Sequence, residues 1–155
     1  MEELPTEHAI QLIRPVVKED ENGETSTSFV LEAQKLKDLL LAESVKNDEM
    51  IIISVTGAFR TGKSFLLNYL LLYLRHLESG AEGDWLTGDE LTGFTWRRGA
   101  DPETAGIMAW NRIFRIPRGD KKVAVLLLDT QGAFDDQSDV KDVTLIFSLS
   151  TMISR

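Results

Sequence analysis

The 155-residue sequence contains no cysteine, only two histidines and only four prolines. Without cysteine the chain can form neither a disulfide framework nor a metal site that depends on thiolates. His8 and His76 show no metal-ligand spacing and are assigned no role. These absences exclude disulfide-rich scaffolds and cysteine-based zinc proteins, and they suit a reducing compartment.

Long apolar runs and a secretory leader are also missing. The N-terminus, MEELPTEHAI, is acidic and lacks the basic and then apolar pattern of a signal peptide. The leucine-rich run FLLNYLLLYL is shorter than the roughly 20 apolar residues that a membrane-spanning helix needs, and Asn68 interrupts it. Taken as it stands, the sequence predicts a soluble, cytosolic chain.

An excess of positive charge is absent as well. The net charge is −8 and the sequence pI is about 4.8, which argues against a nucleic-acid-binding protein. Residues 1–49 carry 12 acidic and 5 basic side chains, whereas residues 50–155 carry 13 and 12. The second part is therefore nearly neutral and can hold a polyphosphate without a large repulsive field.

The sequence does contain alternating strand-like and helix-like segments. Apolar or β-branched runs predict strands over residues 9–17, 29–30, 50–56, 107–116 and 123–128. Helical spacing predicts helices over residues 31 to about 46–48, 63–76 and 140–153. Residues 77–102 have the composition of a long loop. This alternation predicts an α/β fold of the P-loop type, a three-layer sandwich with a mostly parallel sheet.

The stretch GAFRTGKS matches the P-loop pattern G-x-x-x-x-G-K-[ST], and it lies between a predicted strand and a predicted helix. Such a loop wraps a phosphate with its backbone N–H groups, which requires glycine at positions of positive φ or close ligand approach. Lys63 can reach the β- and γ-phosphates, and the Ser64 hydroxyl can bind Mg²⁺. The predicted phosphate-binding residues are Gly57, Ala58, Phe59, Arg60, Thr61, Gly62, Lys63, Ser64 and Phe65.

A P-loop needs a second carboxylate for the metal, usually at the end of a neighbouring strand. The segment VAVLLLDTQG places Asp129 directly after six apolar residues and Gly132 three positions later. We expect Asp129 to hold Mg²⁺ through a water and the Gly132 N–H to contact the γ-phosphate. An aspartate that merely caps a loop is the alternative.

Hydrolysis also requires a group that senses the γ-phosphate and a group that lowers the barrier. Thr104 is the best-placed sensor, with its hydroxyl on Mg²⁺ and its carbonyl on the attacking water. The other threonines between the two motifs are Thr87, Thr92 and Thr95. Ala133 occupies the position where many small GTPases carry a water-orienting glutamine. Arg60 can replace that function as an arginine finger in cis, although the spacing leaves a solvent-facing arginine open.

Several segments together resemble the atlastins, GTPases of the dynamin superfamily that are related to the guanylate-binding proteins. The resembling segments are VTGAFRTGKSFLLNYLL, LTGFTWRRG, ETAGI, KKVAVLLLDTQGAFDDQS and FSLSTMIS. The resemblance implies a large-GTPase fold, hydrolysis of GTP with Mg²⁺ and nucleotide-dependent homodimerisation. It also implies fusion of endoplasmic reticulum membranes from their cytosolic side.

By position, the resemblance makes Arg60 the P-loop arginine finger, Thr104 the switch-I threonine and Asp129 the D-x-x-G aspartate. Thr61 and Ala105 depart from the family, which more often has lysine and threonine there. Neither position has a fixed role in the P-loop pattern.

A guanine-reading strand with an N/T-K-x-D or Arg-Asp signature does not occur in the sequence. We therefore expect a partial GTPase (G) domain, in which residues 1–49 form a strand pair and a helix that lead into residues 50–155, its first half. Two alternatives remain at this point: a truncated, non-catalytic interaction product that binds nucleotide poorly, and a P-loop ATPase.

Overall fold

The computed structural model of the chain describes residues 6–58, 61–86, 88, 91–94, 106–131 and 140–154. The strands are β1 (Ala9–Glu19), β2 (Thr25–Leu31), β3 (Glu49–Val55), β4 (Ile107–Trp110), β5 (Phe114–Arg118) and β6 (Lys121–Thr130). The helices are α1 (Ala33–Leu40), α2 (Lys63–Ser79) and α3 (Val140–Ile153). The predicted α/β fold is confirmed.

Strand β6 lies in the interior of the sheet, whose strand order is β2-β1-β4-β6-β3, with β5 also paired with β6. Every residue of β6 from Val123 to Thr130 is buried. The uninterrupted apolar run VAVLLL produces this burial, because a strand that is covered on both faces has no solvent side to alternate with. The carboxyl end of β6, at Asp129, is thereby held inside the domain.

The sheet is mixed, and this corrects the prediction of a mostly parallel sheet. Among the described strands, only β3 and β6 pair in parallel, whereas β1–β2, β1–β4, β4–β6 and β5–β6 are antiparallel. Parallel neighbours need a long crossover connection, but β5 and β6 follow each other through the two-residue turn Gly119–Asp120. The prediction extended the strand and helix alternation of the other segments to the whole sheet, whereas β4, β5 and β6 follow one another within the described residues 106–131 with no helix between them.

The predicted strand over residues 107–116 is in fact two strands. Ala109 pairs with Leu128, and Phe114 pairs with Val125. Five steps along this chain segment therefore match only three steps along β6, so two extra residues bulge out between β4 and β5. The amide of Asn111 in this bulge bonds the backbone of Thr6 and His8, which attaches the start of the described chain to the sheet.

Helices cover both faces of the sheet and complete the three layers. Helix α2 covers one face and buries Leu67, Leu71 and Leu74 against β5, β6 and the side chains of Phe94 and Trp110. The opposite face is covered by α3 through Ile146 and by the apolar residues of α1, which are Leu36, Leu39 and Leu40. Among the described residues no helix combines the length and the apolar content needed to cross a bilayer.

Two helices differ from their predicted limits. Helix α1 ends at Leu40 rather than near residues 46–48, because the positions that would continue its apolar stripe are Glu43 and Ser44. Helix α2 continues to Ser79, one turn further than predicted, and ends at Gly80 in the left-handed conformation. One side of the helix faces solvent, where Leu66 is 51% exposed.

Candidate phosphate-binding site

The parallel pair β3–β6 brings two distant sequence motifs to one edge of the sheet. Val55, the last residue of β3, is aligned with Asp129 near the end of β6. The Thr130 hydroxyl donates a 2.7 Å hydrogen bond to the Val55 carbonyl and so joins the two strand ends. The loop after β3 and the D-T-Q segment after Leu128 therefore leave the sheet side by side, as ligand-binding loops do at the carboxyl ends of parallel strands.

Helix α2 begins directly at this edge. Its N-cap residue is Gly62, whose φ of 81° is a left-handed conformation that favours glycine. No side chain caps the helix at this position. The first backbone N–H groups of α2 and the positive end of its dipole therefore face the loop, an arrangement that suits a phosphate.

Lys63 is the cation of the site. Its Nζ donates a 2.9 Å hydrogen bond to the Ala58 carbonyl, and the Thr61 hydroxyl donates to the same carbonyl at 2.8 Å. Burial lowers the pKa of Lys63, and the charge of Asp129 opposes that shift. The partly desolvated ammonium group can exchange the weak Ala58 acceptor for a charged phosphate oxygen, a stronger hydrogen-bond partner.

Ser64 and Asp129 form the metal-side pair. The Ser64 hydroxyl donates a 2.5 Å hydrogen bond to Oδ2 of Asp129, and Asp129 is only 1% exposed. A hydroxyl and a carboxylate are the hard oxygen ligands that Mg²⁺ prefers. The donor set therefore fits Mg²⁺. Within the described residues no group of three or more His, Asp or Glu side chains forms another candidate metal site.

The structure thus brings together Lys63, Ser64 and Asp129 at the edge formed by Gly57, Ala58, Thr61 and Gly62. Phe65 lies in the first turn of α2 and packs edge-on against Tyr69, with the ring centroids 5.0 Å apart. The other predicted site residues, Phe59, Arg60, Thr104 and Gly132, lie outside the described residues. Their roles remain predictions, as do the roles of the described residues.

Two polar residues without a predicted role, Asn68 and Gln131, form hydrogen bonds next to this site. Asn68 on α2 bonds the backbone of Phe94, and the Gln131 side chain bonds the backbone of Gly106. Asn68 gives a sequence signal, since it is the one polar residue within the run FLLNYLLLYL. Gln131 gives no such signal, because it occupies one of the two positions of D-x-x-G that any residue can fill.

A cavity of about 340 Å³ adjoins the loop. It lies between Gly57 and Ala58 on one side and Val143 and Phe147 of α3 on the other. Neither Lys63 nor Ser64 lines it. The cavity thus shares Gly57 and Ala58 with the predicted phosphate-binding loop, but not the cation or the hydroxyl of the site.

The family model of the guanylate-binding protein N-terminal domain matches residues 26–155. The chain belongs to the guanylate-binding protein family. The match includes β3, the P-loop, β6 and α3, so the family assignment covers every described residue of the site.

Curated relatives in this family are the atlastins. The chain is 51% identical to Atlastin-3 of Mus musculus over 130 residues, which is 82% of this chain and 24% of that protein. It is 48% identical to Atlastin-1 of Bos taurus over 157 aligned positions, covering 99% of this chain and 26% of that protein. It is also 48% identical to Atlastin-2 of Homo sapiens over 134 residues, covering 84% of this chain and 22% of that protein.

The predicted resemblance to the atlastins is confirmed by these identities. The chain spans about a quarter of the length of the curated relatives it matches. The division of the chain at residue 49 stays a prediction.

Proposed function

We propose that this guanylate-binding protein family chain is the phosphate-binding and switch part of a GTPase that hydrolyses GTP with Mg²⁺. The observation that carries the proposal is the pairing of Ser64 with Asp129, with 2.5 Å between their oxygens, beside Lys63 and the N-terminus of α2. This is the arrangement in which P-loop enzymes bind the β- and γ-phosphates.

The binding step uses the backbone and one cation. The N–H groups of residues 57–65 would surround the phosphates, and Lys63 would transfer its hydrogen bond from the Ala58 carbonyl to a phosphate oxygen. Because Lys63 is partly buried, its charge acts in a medium less polarisable than water and stabilises the phosphates more strongly. Removal of the positive charge of Lys63 should therefore weaken the binding of the nucleotide.

The metal side uses Ser64 and Asp129. When bound, Mg²⁺ neutralises charge on the β- and γ-phosphate oxygens. Ser64 and Thr104 would hold it directly, and Asp129 would hold it through a water. The Ser64 oxygen would direct a lone pair at the metal, while its O–H could continue to donate to Asp129.

The chemical step is an in-line attack of water on the γ-phosphate. The new P–O bond forms as the bond between the γ-phosphorus and the bridging oxygen breaks, so GDP leaves and the water protons pass to inorganic phosphate and solvent. The Thr104 carbonyl would orient this water, and the Gly132 N–H would hold the γ-phosphate. No glutamine is available at position 133, which is Ala133. Arg60 would instead stabilise the charge that develops between the β- and γ-phosphates, a role worth about 10³–10⁵ in rate in related enzymes.

Calorimetry and turnover measurements on the complete protein test the proposal. We expect heat of binding with GTP, and we expect phosphate release that disappears when EDTA removes Mg²⁺. Competition of labelled GTP by excess ATP separates a GTPase from a P-loop ATPase, because the described residues contain no base-reading group. Displacement by ATP with equal affinity would contradict the guanine assignment.

The proposed role of the complete protein follows from the similarity to the atlastins. We propose that it dimerises through the G domain when nucleotide binds, and that it acts in fusion of endoplasmic reticulum membranes and in formation of the tubule network. It would sit on the cytosolic face of that membrane through regions outside these 155 residues. Localisation of the tagged complete protein and a liposome fusion assay with GTP test this part.

A non-catalytic interaction product is the second candidate function. Within the described sheet β3 pairs only with β6, so its other edge has no described strand beside it. On α3, the apolar side chains of Phe147 and Met152 are 58% and 80% exposed. An unpaired edge and exposed apolar groups favour association with another chain. Purified residues 1–155 that melt cooperatively and hydrolyse GTP would eliminate this candidate.

A further inference from the structure

Two side-chain amides hold the two ends of the segment that connects Phe94 with Gly106. The segment itself, residues 95–105, lies outside the described residues and carries Thr104. Both of its ends are described. One end is bonded to the P-loop helix α2, and the other is bonded to the D-x-x-G segment after β6.

Asn68 holds the first end. The Phe94 N–H donates to its Oδ1 at 2.7 Å, and its Nδ2 donates to the Phe94 carbonyl at 3.0 Å. Asn68 is fully buried, and the Phe94 ring packs against Trp110 with 5.2 Å between the ring centroids. Because Asn68 lies one helical turn after Ser64, it ties Phe94 to the element that carries the metal-side hydroxyl.

Gln131 holds the second end. The Gly106 N–H donates to its Oε1 at 2.9 Å, and the Gln131 N–H donates to the Gly106 carbonyl at 2.8 Å. Gly106 has a φ of 69°, and a Cβ there would lie 2.1 Å from the Ile13 carbonyl oxygen. The Gly106 backbone is therefore enclosed between β1 and Gln131, which lies only two residues after Asp129.

We propose that Asn68 and Gln131 are positioning residues for GTP hydrolysis, each tying one end of the Thr104 segment to one phosphate-binding motif. The inference rests on the proposed function. A residue whose N–H and C=O are both hydrogen-bonded is held through the two peptide groups that flank it, which fixes its position and orientation more firmly than a single bond does. Thr104 lies two positions before Gly106 in the sequence.

The experiment compares two Gln131 variants in the complete protein. Gln131→Met keeps the length of the side chain but removes the acceptor for the Gly106 N–H. We expect it to lower kcat for GTP by about 10–100-fold and to change KM by less than about threefold, because it displaces a group used in the chemical step. Gln131→Glu keeps an acceptor oxygen and should retain kcat within about threefold of the unmodified protein.

Asn68→Leu provides the matching test at the first end, since it removes both bonds to Phe94 and preserves side-chain volume. We expect the same selective loss of kcat. If this variant does not fold, the Gln131 pair alone decides. A Gln131→Met variant with a lowered melting temperature but an unchanged kcat would overturn the inference, since it would show a purely structural role.

Failure of the proposed function gives a different result. An unmodified complete protein that does not hydrolyse GTP would contradict the proposed function and this inference together. An active protein in which Gln131→Met and Gln131→Glu lose kcat equally would overturn only the inference, because the acceptor oxygen would then be irrelevant.

Discussion

The hydroxyl of Ser64 and the carboxylate of Asp129 lie 2.5 Å apart, although 65 positions separate them in the chain. The contact exists because β3 and β6 are parallel neighbours, so that the helix after one strand starts beside the end of the other. The sheet thereby sets the spacing of the two segments that form the site, and the Ser64–Asp129 hydrogen bond joins them.

The first prediction concerns this pair. Ser64→Ala removes the hydroxyl that would bind Mg²⁺, whereas Ser64→Thr keeps it. We expect the alanine variant to need at least about tenfold more Mg²⁺ for half-maximal GTP turnover, since one of few direct ligands is lost. Titration of turnover with MgCl₂ measures the effect. A normal Mg²⁺ requirement in Ser64→Ala would contradict the assignment, and Ser64→Thr serves as the control.

The second prediction separates binding from catalysis within the P-loop. Lys63→Ala should abolish nucleotide binding, because it removes the cation at the phosphates. Arg60→Ala should leave GTP affinity within about threefold and lower kcat by about 10³-fold or more, as expected of an arginine finger. Calorimetry with a non-hydrolysable GTP analogue and single-turnover kinetics measure the two quantities. Equal loss of binding in both variants would refute the arginine-finger assignment.

The third prediction concerns the core under α2. Leu71 is completely buried between α2 and the sheet, whereas Leu66 on the same helix is 51% exposed. We expect Leu71→Ala to lower the free energy of unfolding by about 2–5 kcal/mol. Leu66→Ala should change the same quantity by less than about 1 kcal/mol. Urea unfolding followed by circular dichroism compares them, and similar losses in both variants would contradict the packing of α2.

The fourth prediction uses the ion pairs of Glu7, whose carboxylate accepts hydrogen bonds from Arg75, Arg112 and the Trp110 indole. Burial raises the pKa of Glu7, but the hydrogen bonds from Arg75 and Arg112 outweigh it and hold the pKa below its ordinary value of 4.5. The stability that Glu7 contributes is therefore present above about pH 4.5 and lost as the pH falls through the folded-state pKa.

At pH 7, Glu7→Gln should therefore lower the free energy of unfolding by about 1–2 kcal/mol. The difference from the unmodified protein should shrink as the pH is lowered below 4.5. The control is Glu43→Gln, because Glu43 pairs with Lys46 but its side chain is 86% exposed; its effect should stay below about 0.5 kcal/mol. Thermal unfolding across this pH range measures both, and a constant difference for Glu7→Gln would contradict the pKa assignment.

The sequence predicted the elements that carry the site better than the rest of the fold. The limits of α3 were predicted to the residue, and those of β3 and the start of α2 to within one residue. Each of these elements is an apolar segment that a glycine-rich or polar loop clearly bounds. The sequence also predicted that the P-loop and Asp129 lie close together, because both motifs are expected to bind the same Mg²⁺ and phosphates. The Ser64–Asp129 contact agrees with this expectation.

Other features required the three-dimensional arrangement. The residues IMAWNRIFRI are mostly apolar or β-prone, which favoured one strand although Asn111 and Arg112 interrupt the apolar run. The bulge at Asn111 follows from the register of β4 and β5 with β6. The antiparallel pairing of β4 with β6 was likewise not predicted, since it depends on which strands become neighbours. The bonds of Asn68 and Gln131 were missed because they join side chains to distant backbone groups.

At the end of β6 that is far from the predicted phosphate site, an ion pair and a hydrogen bond connect the neighbouring elements. Arg115 forms two hydrogen bonds to the Asp48 carboxylate, and its backbone N–H bonds Glu78 at the end of α2. This cluster lies near Val123, six strand residues or about 20 Å from Asp129. That separation is more than twice the screening length of about 8 Å at physiological ionic strength. Charges around Arg115 can therefore be rearranged to adjust rigidity and solubility with little effect on the proposed phosphate-binding site.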